Sequence, residues 1–316
     1  MKKLVFLVCF VSLVYAAKVH QPFERYTLDG SVIDMVYKQD KLYCATATSS
    51  VEVVDIKSKK IIQKIQVKKI KDFMGDEIDA KVYSVDELNG AILLLTQASK
   101  GYREIYIFKD NKLTNIISFK DKLDIARAKF LDDNTILFAL LGNDIISYDI
   151  KKHKQNWTRQ ASQSKFSYFA LNEDKTKVVV ADESGDLHII DTKTSKLIKV
   201  LSGQNLDNVF QVVYKNGYIA TAGQDRRTVV YNAKTGQAYY KNASFLIYSV
   251  GLSPKAKIVA YASDENNNVT LFKRSTHSTI GVYGGNKMTL SKIIFKNEKE
   301  FFVASDDKVI NHYKIK

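Results

Sequence analysis

The stretch KVVVADESGDLHIIDTKTSKLIKVL (residues 177–201) contains the pattern that decides the fold. An apolar run at 178–181 is followed by a turn of small and acidic residues. A second apolar run at 187–190 ends at Asp191, and a polar turn leads into a third run at 197–201. Short apolar runs separated by such turns indicate antiparallel strands. Three short strands alone leave their faces uncovered, so we expect the unit to pack against copies of itself.

The same unit recurs along the chain. With Asp191 as the marker for the end of the second strand, the equivalent residues are Asp55, Lys109, Asp149, Asn232, Lys273 and Lys314. Successive markers are separated by 54, 40, 42, 41, 41 and 41 residues, and five of these spacings fit the period of a propeller blade. A large apolar residue expected to pack between blades precedes each marker: Val54, Phe108, Tyr148, Ile190, Tyr231, Phe272 and Tyr313. The sequence predicts an all-β, seven-bladed β-propeller.

Residues 1–17 have the three regions of a secretory signal peptide: Lys2 and Lys3, an apolar core at 4–15, and the small residues Ala16 and Ala17. We expect cleavage near Ala16 and export to the periplasm. The alternative is an uncleaved anchor, but the apolar core is shorter than the roughly 20 residues that span a bilayer. Residues 18–316 are expected to form a single propeller domain with no stable membrane insertion after cleavage.

The seventh copy of the repeat, which begins near Lys292, lacks an outermost strand. A ring closes when one terminus completes the other terminus's blade, so we expect Phe23–Leu28 to supply the missing strand. After signal cleavage Cys44 is the only cysteine, and no internal disulfide is possible. Its place in the apolar run 42–47 predicts an inert core residue.

A search for catalytic motifs yields no candidate catalytic, cofactor-binding or metal-binding residue. The sequence contains no CxxC, HExxH or GxSxG motif, and the five histidines have no metal-site spacing. We expect His188 and His312 to lie on the polar faces of their strands. Carboxylates recur in the turn before the second strand, where they cap their own turns or form a ring that binds a cation or a basic partner: Asp182, Asp225, Asp264 and Asp306. Turn capping is the favoured interpretation, because the four positions are not strictly equivalent.

The chain has a formal net charge of +14. A basic chain of this kind indicates nucleic acid, anionic lipid or an acidic protein as candidate partners. Lys greatly outnumbers Arg, whereas base and phosphate recognition favours Arg, so we expect no nucleic-acid partner. The irregular spacing places an insertion at 65–81, which is either a binding loop or a longer strand with a solvated turn. The candidate partner-binding residues are Lys68, Lys69, Lys71, Arg226 and Arg227.

The unit at 178–203 resembles a WD40 repeat, with Asp191 at the end of the second strand. Residues 221–239 follow the same plan, with Tyr231-Asn232 where the family has Trp-Asp. No copy has Trp-Asp or the family's Gly-His pair, so the family's His–Asp network is not carried over. The resemblance implies a scaffold without catalysis.

The whole chain also resembles the L-type Nap family, the periplasmic accessory proteins encoded with nitrate reductase in epsilonproteobacteria. That resemblance implies a monomeric, non-catalytic helper that carries no cofactor and serves nitrate respiration by assisting maturation of the reductase or electron delivery to it. Two alternatives stay open. One is a general periplasmic scaffold such as an outer-membrane assembly propeller, and the other is a metal-dependent propeller enzyme of the lactonase type.

Overall fold

The computed structural model describes residues 18–316, and the expected signal peptide at 1–17 lies outside them. The described chain is almost entirely β-structure, with two 3₁₀ turns at Ser99–Gly101 and Phe119–Asp121. Residues 18–316 contain no helix with the length and apolar character needed to cross a membrane.

The strands form seven antiparallel four-stranded sheets, numbered as blades 1–7 in chain order. Two short strands, β1 (Val19–His20) and β2 (Glu24–Thr27), precede blade 1. Blade 1 contains β3 (Val32–Lys38), β4 (Lys41–Thr46), β5 (Ser50–Asp55) and β6 (Lys60–Gln66). A small hairpin follows, made of β7 (Ile70–Lys71) and β8 (Glu77–Ile78).

The next three blades repeat this plan. Blade 2 contains β9 (Val82–Leu88), β10 (Ala91–Gln97), β11 (Arg103–Lys109) and β12 (Lys112–Ile117). Blade 3 contains β13 (Ile125–Asp132), β14 (Thr135–Leu140), β15 (Asp144–Asp149) and β16 (Lys154–Gln160). Blade 4 contains β17 (Phe166–Leu171), β18 (Lys177–Asp182), β19 (Leu187–Asp191) and β20 (Leu197–Leu201).

The last three blades complete the ring. Blade 5 contains β21 (Val209–Lys215), β22 (Tyr218–Gly223), β23 (Arg227–Asn232) and β24 (Ala238–Asn242). Blade 6 contains β25 (Val250–Leu252), β26 (Ile258–Ala262), β27 (Val269–Lys273) and β28 (Thr279–Tyr283), with β1 added in parallel beside β28. Blade 7 contains β29 (Leu290–Asn297), β30 (Glu300–Ser305), β31 (Val309–Lys314) and the N-terminal strand β2.

The prediction of a seven-bladed ring closed by the N-terminal strand is confirmed. Strand β2 pairs antiparallel with β31, placing Tyr26 opposite Ile310. Backbone bonds from Phe23 N to His312 O and from Leu28 N to Lys308 O extend the pairing at both ends. The parallel addition of β1 to blade 6 was not predicted, because two residues are too short for a recognisable strand pattern.

The hydrophobic core lies between the blades. Apolar side chains of neighbouring sheets form clusters at all seven blade interfaces. Of the residues that precede the repeat markers, Val54, Ile190, Tyr231, Phe272 and Tyr313 are buried, and Phe108 and Tyr148 are half-buried against these clusters. Cys44 is fully buried at the interface of blades 7 and 1, and burial raises the pKa of its thiol well above the ordinary value, as expected for an inert core cysteine.

His188 and His312 have carboxylate neighbours, but both are buried, which the expectation of a polar strand face did not include. His312 lies between two carboxylates of blade 7, with Nδ1 3.7 Å from Glu24 Oε2 and Nε2 3.0 Å from Glu300 Oε2. The side chain of Phe23 covers the imidazole at a ring-centroid distance of 4.4 Å. The N-terminal strand therefore closes over a titratable cluster as well as over apolar residues.

We expect Tyr26→Ala to destabilise the whole ring by about 3–5 kcal/mol, because truncating a buried aromatic side chain leaves a cavity at the closure. Tyr26 is 2% exposed and packs in the cluster that joins blades 7 and 1. Urea unfolding measures the change. Ile62→Ala, on an outer strand where the side chain is 51% exposed, is the matched control and should unfold near the wild-type midpoint. Equal midpoints for the two variants would contradict a stabilising role for the closure.

We also expect closure to weaken in mild acid. Burial lowers the pKa of His312 below its ordinary value of 6.5, so the unfolded chain takes up this proton more readily than the folded one. The stability that the neutral imidazole contributes is present above the ordinary value and is lost as the pH falls. The melting temperature should therefore drop between pH 7.5 and pH 5.5, and by less in His312→Gln. His153→Asn, at an exposed turn, should keep the wild-type drop.

Candidate functional site

The first strand of every blade lines the central channel, and neighbouring first strands contact one another around it. Because strand direction alternates within a blade, the blade-to-blade connections and the turns between second and third strands emerge on the same side of the ring. We call this side the connection face. The candidate site has two parts: charged residues in the channel and loops on the connection face.

Asp34 lies at the centre of the charged group in the channel. Its Oδ2 is 3.4 Å from Arg127 Nη1 and 3.2 Å from Lys129 Nζ, and its Oδ1 is 3.3 Å from Lys292 Nζ. Its carboxylate also accepts a hydrogen bond from Val85 N. A single side chain of blade 1 thereby contacts blades 2, 3 and 7.

The cations around Asp34 also donate hydrogen bonds to other residues, some of which belong to blade 4. Arg127 donates through Nε to Phe169 O, and its guanidinium carbon lies 3.9 Å from the ring centroid of Tyr168. Lys292 donates to the Tyr168 hydroxyl, and Lys129 donates to Val85 O. The four charged residues are all buried. This hydrogen bonding offsets part of the cost of removing so many charges from water.

The pKa values follow from this crowding. Burial alone would raise the pKa of Asp34, but the three neighbouring cations hold it well below the ordinary range, so the carboxylate stays ionised. Burial, together with the neighbouring Arg127, lowers the pKa of Lys292 to about 8 despite the attraction of Asp34. Burial likewise lowers the pKa of Lys129. The channel carries more positive charge than Asp34 balances.

Polar bonds continue around the rest of the channel. Gln211 of blade 5 donates through Nε2 to Ser291 O of blade 7. Its Oε1 accepts from Ser249 Oγ and from Val250 N at blade 6. Side chains in the channel therefore link all seven blades.

The connection face presents the insertion predicted at 65–81, which is a hairpin and not a lengthened strand. Asp72 Oδ1 accepts hydrogen bonds from Met74 N and Asp76 N, so the carboxylate holds the turn at the tip. The turn displays Phe73 and Met74, which are 95% and 73% exposed. At the base, Ser49 Oγ donates to Asp79 and accepts from Ala80 N, which fixes the hairpin to blade 1.

The five predicted partner-binding residues all lie on the connection face, in the insertion and in one turn of blade 5. Lys68, Lys71 and Arg226 are exposed. Lys69 is also exposed but pairs with Asp79 at 3.9 Å. Arg227 is half-buried in its own blade, where it donates to Gln204 O and lies 4.4 Å from the Tyr240 ring centroid. Arg227 thus also stabilises its own blade, and the partner-binding role of all five residues stays a prediction.

Other connections of the same face also expose apolar side chains. They are Leu206 between blades 4 and 5, Phe245 between blades 5 and 6, and Met288 between blades 6 and 7. Ile78 is exposed in the hairpin itself, and the remaining exposed large apolar residues of the described chain lie on outermost strands or in the N-terminal segment. Apart from those on the outermost strands and in the N-terminal segment, the exposed large apolar residues therefore lie on the connection face.

The carboxylates predicted to cap their turns do so in three blades. Asp182 accepts from Ser184 N, Asp225 from Arg227 N, and Asp264 from Asn266 N. Residues 18–316 contain no group of three or more His, Cys, Asp or Glu side chains arranged to hold a metal ion.

The charged group in the channel was not predicted, although the sequence contains a signal for it. Arg127 and Lys129 alternate with apolar residues in IARAKFL (125–131), a strand that is otherwise of the buried type. Asp34 similarly interrupts the apolar strand VIDMVY (32–37). Charges inside apolar first strands indicate channel-lining positions, but their meeting at one point depends on the closed ring.

Comparison with known proteins finds one matching family. The family model described as outer membrane protein assembly factor BamB matches residues 73–280, from the tip of the hairpin to the last strand of blade 6. No curated protein sequence matches the chain.

We expect Asp34→Asn to destabilise the protein by about 3–5 kcal/mol, because it leaves three buried cations without their shared counter-charge. Urea unfolding at pH 7 measures the loss. Asp29→Asn is the matched control, since Asp29 forms an exposed ion pair with Lys64 and its loss should cost less than about 1 kcal/mol. An unchanged midpoint for Asp34→Asn would show that the cations do not depend on this carboxylate.

Proposed function

We propose a docking function from one established premise: the chain belongs to the family of the outer membrane protein assembly factor BamB. In this proposal the protein is a non-catalytic periplasmic scaffold that holds another protein against its connection face. The observation that carries the proposal is the concentration of exposed apolar side chains on that face, above all Phe73 and Met74. Apolar groups left in water on a folded protein mark interaction sites when they cluster.

The hairpin suits this role because it is ordered before it binds. Asp72 fixes the turn and Ser49 fixes the base, so docking would cost little additional conformational entropy. An aromatic and a methionine side chain at the tip supply adaptable apolar contact area, of the kind enriched at interfaces. We expect the tip to enter an apolar pocket on the partner.

Charge on the same face would select the partner. Lys68, Lys71 and Arg226 are exposed around the connection face. Charges at the rim of an interface chiefly set encounter rate and specificity, so an acidic partner surface is expected.

Two candidate partners fit the docking function. The resemblance to the nitrate reductase accessory family favours a component of periplasmic nitrate reductase, which the protein would assist in maturation or electron delivery. The family of the matching model is named for assembly of outer membrane proteins, which favours a component of that assembly system as the second candidate. Both use the same face and differ in the protein bound.

We expect Phe73→Ser with Met74→Ser to abolish partner capture in a pull-down from periplasmic extract while leaving the melting temperature unchanged, because these side chains are exposed. Ile62→Ser with Ile198→Ser is the matched control, since it removes two exposed apolar side chains from outer strands. Retained capture by the tip variant, or its loss in the control, would contradict docking through the hairpin.

Reversing Lys68, Lys69 and Lys71 to Glu should weaken capture mainly at low salt, since screening already suppresses exposed charges at high salt. Mass spectrometry of the captured protein distinguishes the two partners. A nitrate reductase subunit, with lowered nitrate reductase activity in a strain lacking this protein, supports the first candidate. An outer-membrane assembly component with normal nitrate reductase activity supports the second, and capture of neither contradicts both.

A further inference from the structure

The channel opens on the connection face into a cavity of about 290 Å³. The charged residues that line it are Asp34, Arg103 and Arg127. Aromatic and aliphatic side chains complete the wall, among them Tyr83, Phe166, Tyr168, Ile33 and Leu141. A concave site with an apolar wall and a few converging polar groups is the usual form of a small-molecule site.

The charge around this cavity is unbalanced. Asp34 already interacts with Arg127, Lys129 and Lys292, so three buried cations share this one carboxylate. A second buried carboxylate, Asp86, lies deeper along blade 2, accepts a hydrogen bond from Phe130 N and also attracts Lys129 and Lys292, which leaves the cations in excess. Arg103 adds a fourth cation at the mouth, and no salt bridge to it is found within residues 18–316. A bound anion would balance this excess, since unpaired charge in a partly dry site is costly.

Both arginines have nitrogen atoms free for a ligand. Arg127 uses Nε for Phe169 O and Nη1 for Asp34, and its Nη2 has no hydrogen-bond acceptor in the described chain. Arg103 uses Nη1 for Ile125 O, while its Nε and Nη2 have none there. Ser291 Oγ, from another residue of the cavity wall, is buried without a partner in the same part of the chain.

Aromatic rings hold both guanidinium groups in place. Arg103 lies 3.9 Å from the centroid of the Tyr83 ring, and Arg127 lies 3.9 Å from that of Tyr168. Stacking of this kind orients the planar fork of arginine, which matches the two oxygens of a carboxylate. The donors are therefore positioned before a ligand arrives.

We propose that the cavity at the connection-face mouth of the channel is a binding site for a small organic carboxylate, held by Arg103 and Arg127. The arginine forks bind the carboxylate oxygens. The carbon body of the ligand lies against Ile33, Leu141 and Phe166. This apolar wall favours an organic anion over inorganic phosphate, which has no apolar part to bury.

Isothermal titration calorimetry on the purified protein tests this site, with succinate and inorganic phosphate as probes at one ionic strength set with potassium chloride. We expect succinate to bind with a stoichiometry of one per chain, and more tightly than phosphate. In Arg103→Gln the dissociation constant should rise at least tenfold. Arg127→Lys keeps the charge beside Asp34 but loses the planar fork, and it should weaken binding to a similar extent.

Arg159→Gln is the matched control, because Arg159 lies on an outer strand of blade 3 and donates to Ser195 O. It should bind succinate as the wild type does, and melting temperatures establish that each variant is folded. Three results would overturn the proposal: no succinate binding, phosphate binding as tight as succinate binding, or wild-type affinity in either channel variant. Since no partner protein enters this experiment, its outcome is independent of the docking proposal.

Discussion

The interaction on which the ring depends is the contact of one carboxylate with three cations at its centre. Asp34 lies where the first strands of several blades approach each other, and its two oxygens contact Arg127, Lys129 and Lys292. The inner edge of a propeller has little room for large apolar side chains, and each first strand is an edge strand that pairs with another strand on one side only. Polar side chains that reach from blade to blade are the means left to fix the relative positions of the sheets there. The apolar clusters between blades account for most of the buried apolar surface. The central charges fix the positions of the blades relative to one another.

The outer edge of the ring is held in a different way. There the two chain ends meet in blade 7, where β2 pairs with β31 and Tyr26 fills the space between blades 7 and 1. The closing strand gains backbone hydrogen bonds and a buried aromatic ring, and it places Glu24 beside the buried His312. With β2 in place, blade 7 has four strands like the other blades, and β31 is covered on its outer side.

The repeat predicted the fold because each blade repeats the same apolar spacing, and strand ends such as Asp191 and Asn232 recur at a nearly constant interval. The closing strand was predicted by counting the strands in each copy of the repeat, because the seventh copy lacks a fourth strand. The channel residues occupy a repeat position, since Asp34, Arg127 and Lys292 are each the third residue of the first strand of their blade. The residue type at that position differs from blade to blade, and only ring closure brings blades 1, 3 and 7 to one point. Similarly, the spacing located the insertion, whereas the hydrogen bonds of Asp72 that expose Phe73 depend on a local turn that spacing does not specify.

The channel cavity opens on the connection face, and the exposed hairpin projects from the same face. This arrangement couples the binding free energies of the two proposed ligands. A protein docked across the connection face would cover the cavity mouth and remove water from it. Lower local dielectric strengthens the attraction between Arg103, Arg127 and an anion, so docking and carboxylate binding would favour each other. Coupling of this kind is reciprocal: whatever factor the partner adds to the affinity for the carboxylate, the carboxylate adds to the affinity for the partner.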